Sequence, residues 1–283
     1  MDYGIANKSG QLNQHEIDRI VSFSTKNDIL YFDTAQSYGN SEIVLGNAIK
    51  KLNDKSNLKV ISKVVPNINY NLKKVISSID ESLKKLKINS LYALLAHRIN
   101  DLTHPSFSKA INYLKEEQKI YKSGVSVYTP EEAQIALNNS QVQILQIPLN
   151  IFDRRWLDNK IIEQAKQKNI QLFFRSIFLQ GLIFLNEVDL ETRKMNWAKP
   201  YINQFNELLK TSSLSYIELT FNLLSNFSSD SVIIVGIDNY DQIKENYNYL
   251  KNSKINKNLS EKWWSELPLF PEKLLNPNLW KNN

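Results

Sequence analysis

ILYFDT (Ile29–Thr34) opens apolar and stops at a carboxylate. After it, Leu45, Ala48, Ile49 and Leu52 fall on one helical face, so a strand is followed by a helix. The unit then repeats. LKVISKV (Leu58–Val64) precedes Leu72, Val75, Ile76, Ile79, Leu83 and Leu86 at helical spacing, and LYALLAH (Leu91–His97) precedes a helix entered through Pro105. KSGVSVY (Lys122–Tyr128) meets Thr129-Pro130-Glu131-Glu132, where Thr129 is placed to cap, Pro130 suits the first helical position and Glu132 completes a capping box. VQILQIP (Val142–Pro148), IQLFFRS (Ile170–Ser176) and SVIIVG (Ser231–Gly236) are further strands, each followed by a helical pattern.

Runs that are apolar on both faces read as parallel strands covered by helices. Seven strand–helix units at a period of roughly 30 residues predict a TIM-type (β/α)8 barrel. A doubly wound open sheet is the rival, but no strand leads into G-x-G-x-x-G and the chain holds only 7 Gly. An eighth strand is absent. The N-terminal stretch through NQHEIDRIVSFSTKN (Asn13–Asn27) offers a helix capped by Asn13 with no strand before it, so either the barrel is incomplete or its start lies upstream.

The bounds agree with one large core. The 283 residues are 42% hydrophobic and 23% charged, enough for a single barrel domain over 1–283, with residues 254–283 as a C-terminal tail packing on it. The absence of Cys excludes disulfides, thiolate metal sites and Cys nucleophiles, and three His make a His-rich metal site improbable; no metal is expected. The N-terminus lacks an apolar h-region and no window nears 18 uninterrupted apolar residues, so the expectation is a cytoplasmic protein without membrane association. The net charge of +6 comes from scattered Lys such as Lys50-Lys51 and Lys84-Lys85, a solvated-surface pattern rather than a nucleic-acid footprint.

In a TIM barrel the chemistry lies at the C-terminal ends of the strands. Asp33 ends the first strand, Lys63 the second and His97 the third, one repeat apart, with Tyr38 in the loop above Asp33. Neighbouring parallel strands lie about 4.8 Å apart, so these side chains converge on one rim. Singly, each has an ordinary role: strand-end cap, snorkelling Lys, packing aromatic, satisfied core His. Jointly they form a reactive set. A carboxylate offsets the cost of a buried Lys, and a cation beside Tyr38 favours the phenolate. Tyr38 can then donate a proton to a carbonyl oxygen that His97 orients.

DTAQSYGNSEIVLG (Asp33–Gly46), ISKV (Ile61–Val64) and LLAHR (Leu94–Arg98) resemble the aldo-keto reductase superfamily, NAD(P)H-dependent oxidoreductases on a (β/α)8 barrel. The likeness continues through GVSVYTPEE, QIPLNIFDRR, RSIFLQGL and DQIKEN. It implies a catalytic tetrad of Asp33, Tyr38, Lys63 and His97, with Tyr38 as proton donor. It also implies that Ser126 and Gln146 hold the nicotinamide carboxamide, that Arg175 stands where relatives stack an aromatic, and that Ser176, Phe178 and Gln180 line the pyrophosphate path. Glu245 and Asn246 match residues on the adenine edge.

There are departures. Val127 stands where an Asn is common. Gly236 and Gln242 stand where NADPH-preferring relatives carry a Lys and an Arg, which leaves NADP or NAD as cofactor, with strict NADPH preference doubtful and Lys244 a weak substitute. Relatives also place a strand before the segment similar to DYGIANKSG (Asp2–Gly10). The expected partner is a small carbonyl or alcohol substrate, sugar-like by resemblance, and the expected state is a monomer or weak homo-oligomer. The long stretch LIFLNEVDLETRKMNWAKP (Leu182–Pro200) shapes the pocket or clasps the cofactor, and the aromatic tail with Trp263, Trp264, Phe270 and Trp280 packs on outer helices or folds to the mouth. The rival functions are a non-catalytic NAD(P)-binding regulatory barrel and a truncated, inactive homologue.

Overall fold

The computed structural model describes residues 10–66, 71–227, 231–252 and 256–281. Seven strands form one sheet in strict sequence order: β1 (Tyr31–Asp33), β2 (Lys59–Lys63), β3 (Leu91–Ala96), β4 (Ile120–Ser126), β5 (Ile144–Pro148), β6 (Gln171–Arg175) and β7 (Val232–Ile233). The pairings from β1 to β5 are parallel, and helices separate all consecutive strands. A doubly wound sheet reverses its order at a switch point; this one does not. The fold is of the TIM-type (β/α)8 class, with seven strands among the described residues and none before α1 (Gln14–Lys26). The segment similar to DYGIANKSG lies, but for Gly10, outside the described residues. No helix among them is long and apolar enough to cross a membrane.

Two compact units divide the chain: Gln11–Ile147 with Glu163–Phe173, and Pro148–Ile162 with Phe174–Asn283. In the first, β2 to β5 are largely buried, β3 and β5 as mostly apolar runs and β2 and β4 with Lys and Ser among their apolar residues. Asn13 caps α1 by accepting from the Glu16 N–H. The buried residues of α2 (Ser41–Lys50) are Glu42, Gly46, Ala48 and Ile49; of the expected stripe, Ala48 and Ile49 are buried and Leu45 and Leu52 half-buried. Gly46 marks a close approach. A Cβ there would lie 2.1 Å from the Lys85 carbonyl oxygen, so the absence of a side chain lets α2 touch the end of α3 (Leu72–Leu86). Gly124 does the same between strands, its missing Cβ falling 2.0 Å from the Ile144 carbonyl oxygen. The Thr129 hydroxyl accepts from the Glu132 N–H as expected, but the Glu132 carboxylate takes the Tyr128 N–H, one residue before the cap.

The second unit has an aromatic core. Phe152 stacks on Phe205 at 4.1 Å between centroids, Phe205 stacks on Tyr216, and Trp263 and Phe270 meet this group edge-on. The tail is fastened to the segment after β5: the Trp263 indole donates to the Ile151 carbonyl at 3.2 Å and Arg154 donates to the Leu267 carbonyl at 2.9 Å. β7 is only two residues long, half-exposed, and joined to β6 through the Ile234 N–H and the Phe174 carbonyl.

Candidate active site

Register brings the first group together. Asp33 stands opposite Ile61 and Lys63 opposite Leu95. Lys63 is two residues past Ile61 and His97 two past Leu95, so all three project from one face, because side chains alternate along a strand. The Lys63 ammonium, 1% exposed, donates to Asp33 Oδ2 at 2.6 Å and to the Thr34 carbonyl at 3.0 Å. A buried ammonium persists because its desolvation is offset by this carboxylate and carbonyl. The same nitrogen lies 5.0 Å from the centre of the Tyr38 ring. The His97 ring meets that of Tyr38 edge-on, 5.9 Å between centres and 88° between planes. Ser37 lies within hydrogen-bonding reach of His97 Nδ1, at 3.4 Å. The four residues expected to form the tetrad are thus neighbours.

Gln146 joins them from β5, a contact the sequence did not announce. Its Nε2 donates to Asp33 Oδ1 at 3.0 Å. A carboxylate only accepts, so the amide nitrogen must face it and Oε1 must face away. That Oε1 is buried and has no hydrogen-bond partner among the described residues. Ser126, also buried, pairs with Gln146 in register. An orphaned buried acceptor beside a hydroxyl fits a primary carboxamide, whose NH2 donates and whose oxygen accepts. A nicotinamide meets that requirement. Val127 is fully buried and apolar, so the amide many relatives carry there has no counterpart.

The other candidates belong to the second unit. Arg175 ends β6, half-buried, and donates to Ser176 Oγ at 3.3 Å. Ser176, Leu179 and Gln180 have φ of +54°, +48° and +53°, and Gly181 has +87°. Left-handed backbone at non-glycine residues costs roughly 1–3 kcal/mol each and concentrates at ligand clamps. Phe178 packs edge-on against Phe221 and tilted against Phe184. Gly236 is exposed, and Gln242 spends its amide oxygen on the Asp238 N–H at 2.7 Å, which makes it a loop clip. Burial pushes the half-buried Asp238 carboxyl above its ordinary range. Lys244 is drawn to Asp241 at 2.7 Å. Glu245 is exposed on the helix Tyr240–Asn252, and Asn246 is half-buried beside it.

Sequence reasoning missed Gln36, Ser37 and Glu42 as parts of this region. The Gln36 amide reaches three partners on α3 and one beyond β2, and the buried Glu42 accepts from Ser62 Oγ at 2.7 Å. The only signal was their place within the polar run that follows Asp33.

Comparison with known proteins bears on the family and the fold. The model of the "Aldo/keto reductase family" matches residues 2–263. A holo-form aldo-keto reductase from Bacillus halodurans superposes with a TM-score of 0.75 at 17% identity, covering 95% of this chain and 93% of the other. A thermostable aldo-keto reductase, Tm1743, solved with the inhibitor epalrestat, gives 0.71 at 20% identity, covering 93% and 92%. An aldo-keto reductase from a Medee basin deep-sea metagenome gives 0.67 at 18%, covering 91% and 88%. A search of curated proteins finds no match. At such identities the structural likeness speaks for the fold, whereas the family model spans most of the chain: this protein belongs to the aldo/keto reductase family and is an NAD(P)H-dependent oxidoreductase.

Proposed function

We propose that the protein catalyses reversible hydride transfer between a nicotinamide and an aldehyde or ketone, with Tyr38 supplying the proton. The observation that carries this reading is the buried Lys63–Asp33 pair set 5.0 Å from the Tyr38 ring. Reduction of a carbonyl builds negative charge on oxygen, and a positioned acid relieves it. Tyr38 is that acid, and no described residue takes its hydroxyl hydrogen. As its proton leaves, the Lys63 charge stabilises the phenolate, and Asp33 keeps Lys63 charged and fixed in a dry place. His97, edge-on to Tyr38, orients the carbonyl oxygen. The bound NAD(P)H supplies the hydride. Ser126 and Gln146 hold its carboxamide, and Arg175, Ser176, Phe178, Gln180, Glu245 and Asn246 remain the candidates for its other parts.

With Gly236 and Gln242 in place of paired cations, we expect NADH, or both coenzymes, to serve, because Gln cannot replace a bidentate Arg–phosphate contact. Cytoplasmic residence and a sugar-like substrate are part of the same proposal. The test titrates NADH and NADPH separately into the wild-type protein and Tyr38→Phe, then follows their oxidation by a panel of aldehydes and ketones. Turnover by the wild type, with unchanged binding and turnover lowered by about 10²–10⁴ to a small residual rate in the variant, is expected. Retained turnover in Tyr38→Phe overturns the assigned role; binding without turnover in both proteins marks a non-catalytic barrel.

A further inference from the structure

The proton donor sits in a loop, residues 34–40, that belongs to no helix or strand. A misplacement of about 1 Å at a reacting group is enough to cost on the order of 100-fold in rate, so something must hold this loop. We propose that Gln36 is the positioning residue for Tyr38, clamping its loop to the end of β2 and to α3 at once; the proposal rests on the catalytic reading above.

The backbone ties the loop to β2 only at its start, and otherwise closes it on itself, the Tyr38 N–H donating to the Ala35 carbonyl at 3.0 Å and the Tyr38 carbonyl accepting from the Ser41 N–H at 3.1 Å. The Thr34 N–H donates to the Ile61 carbonyl at 2.9 Å and the Gln36 N–H to the Lys63 carbonyl at 3.1 Å, which continues the ladder past β1. The Gln36 side chain then takes over in two directions. Its Oε1 accepts the Val65 N–H at 3.0 Å, just beyond Lys63. Its Nε2 donates to the Ser78 carbonyl at 3.1 Å and lies 3.2 Å from Ser78 Oγ and 3.0 Å from Ser82 Oγ. Ser78 and Ser82 are four residues apart and therefore share a face of α3. One primary amide thus fastens the Tyr38 loop, the exit of the Lys63 strand and a helix.

The residue type follows from the partners. Val65 offers a donor and α3 offers acceptors, so the clamp needs an acceptor and a donor on one rigid plane. Leu keeps the bulk and loses both functions. Glu keeps the acceptor and sets a carboxylate against the Ser78 carbonyl. In the same region, Thr34 Oγ1 and Ser41 Oγ meet at 2.7 Å and Ser62 Oγ donates to the buried Glu42 at 2.7 Å. The first of these bonds joins the residues that flank the loop, and Gln36 ties its middle to the exit of β2 and to α3. Lys63 is consequently gripped twice by one segment, its ammonium by Asp33 and its carbonyl by Gln36.

The test combines kinetics with a measurement that needs no turnover. Gln36→Leu should lower kcat about 10–100-fold, with KM and NAD(P)H affinity within about threefold. In a Tyr38→Phe background the same change should add nothing to the residual rate. Ser82→Ala, which removes one partner and leaves the fold intact, should lower kcat a few-fold. In protein labelled with 13C at the tyrosine ring, the Tyr38 resonance, assigned from its loss in Tyr38→Phe, should shift or broaden in Gln36→Leu and Ser82→Ala while that of Tyr31 stays put. A Tyr38 resonance and a kcat indifferent to both variants overturn the proposal, as does an equal loss of rate in both backgrounds. A wild type that turns nothing over, with a resonance still dependent on Gln36, defeats the catalytic reading alone and leaves the clamp standing.

Discussion

The sheet carries a lysine beside a tyrosine at both of its ends. At the C-terminal ends of β1 and β2, Lys63 lies by Tyr38; at the N-terminal ends, the Lys59 ammonium donates to the Tyr31 hydroxyl at 3.0 Å and sits 4.6 Å from its ring. Tyr92 stands between Lys59 and Lys122, at 5.5 and 5.2 Å, and its hydroxyl donates to Gln171 at 2.9 Å. The two groups differ in what completes them. Lys63 is buried and paired with a carboxylate, whereas Lys59 is half-exposed and has no carboxylate within ion-pair distance among the described residues. The Tyr31 hydroxyl is already engaged, and that of Tyr38 has no described partner. A lysine near a phenol is therefore not the mark of a reactive site. The acid that keeps a lysine charged in the dark, and a phenol left with a hydroxyl to offer, are.

The first way to break this contrast is to remove each hydroxyl. Tyr38→Phe should lower kcat for a test aldehyde by about 10²–10⁴, the range of a general acid, and Tyr31→Phe should leave it within about twofold. Equal effects in the two variants would erase the distinction. Next come the lysines. Lys63→Met strands Asp33 and should destabilise the fold by roughly 3–5 kcal/mol, read as a lower denaturant midpoint, while Lys59→Met should cost no more than about 1 kcal/mol. The two glutamines give a smaller test. Gln146→Leu should weaken NADH binding roughly tenfold by fluorescence titration, and Gln171→Leu should not change it.

The smallest effect is in pH. The hydrogen bond to Tyr31 raises Lys59 above its ordinary value, so its contribution is full below 10.5 and fades as pH climbs past its folded value. Burial works against the Tyr31 phenol, yet hydrogen bonding from Lys59 brings it below its usual 10.0, so its contribution grows as pH approaches 10.0. Burial pushes Tyr92 up to about 12 and keeps it neutral there. Wild type should gain stability over Tyr31→Phe as pH rises towards 10.0 and lose it again once pH passes the raised folded value of Lys59, by less than about 1 kcal/mol at so exposed a pair.

Much of the frame could be read from residues because buried parallel strands carry apolar runs, as β3 and β5 do, while β2 and β4 were legible from the apolar residues around their Lys and Ser. The ends were less legible. SVIIVG reads as a six-residue strand, yet the strand is only Val232–Ile233, and Ile29–Thr34 shortens to Tyr31–Asp33. Both lie at the ends of the strand order, and a ladder is only as long as its partner allows. Asp33, Lys63 and His97 stood out because charged or titratable residues interrupted a repeating apolar pattern at one phase. Gln36, Glu42 and the Gln146–Asp33 bond had no such phase to violate. They are polar residues whose partners lie between 20 and 113 positions away, and nothing local encodes that.

The concealment of Lys63 has a preparative consequence. Lys50, Lys51, Lys84 and Lys85 are exposed, so amine-directed coupling to a solid support, or blanket reductive methylation, would engage these side chains and pass over Lys63, the amine of the proposed mechanism. Because the chain has no cysteine, a single thiol introduced at will would give an alternative tether with one address.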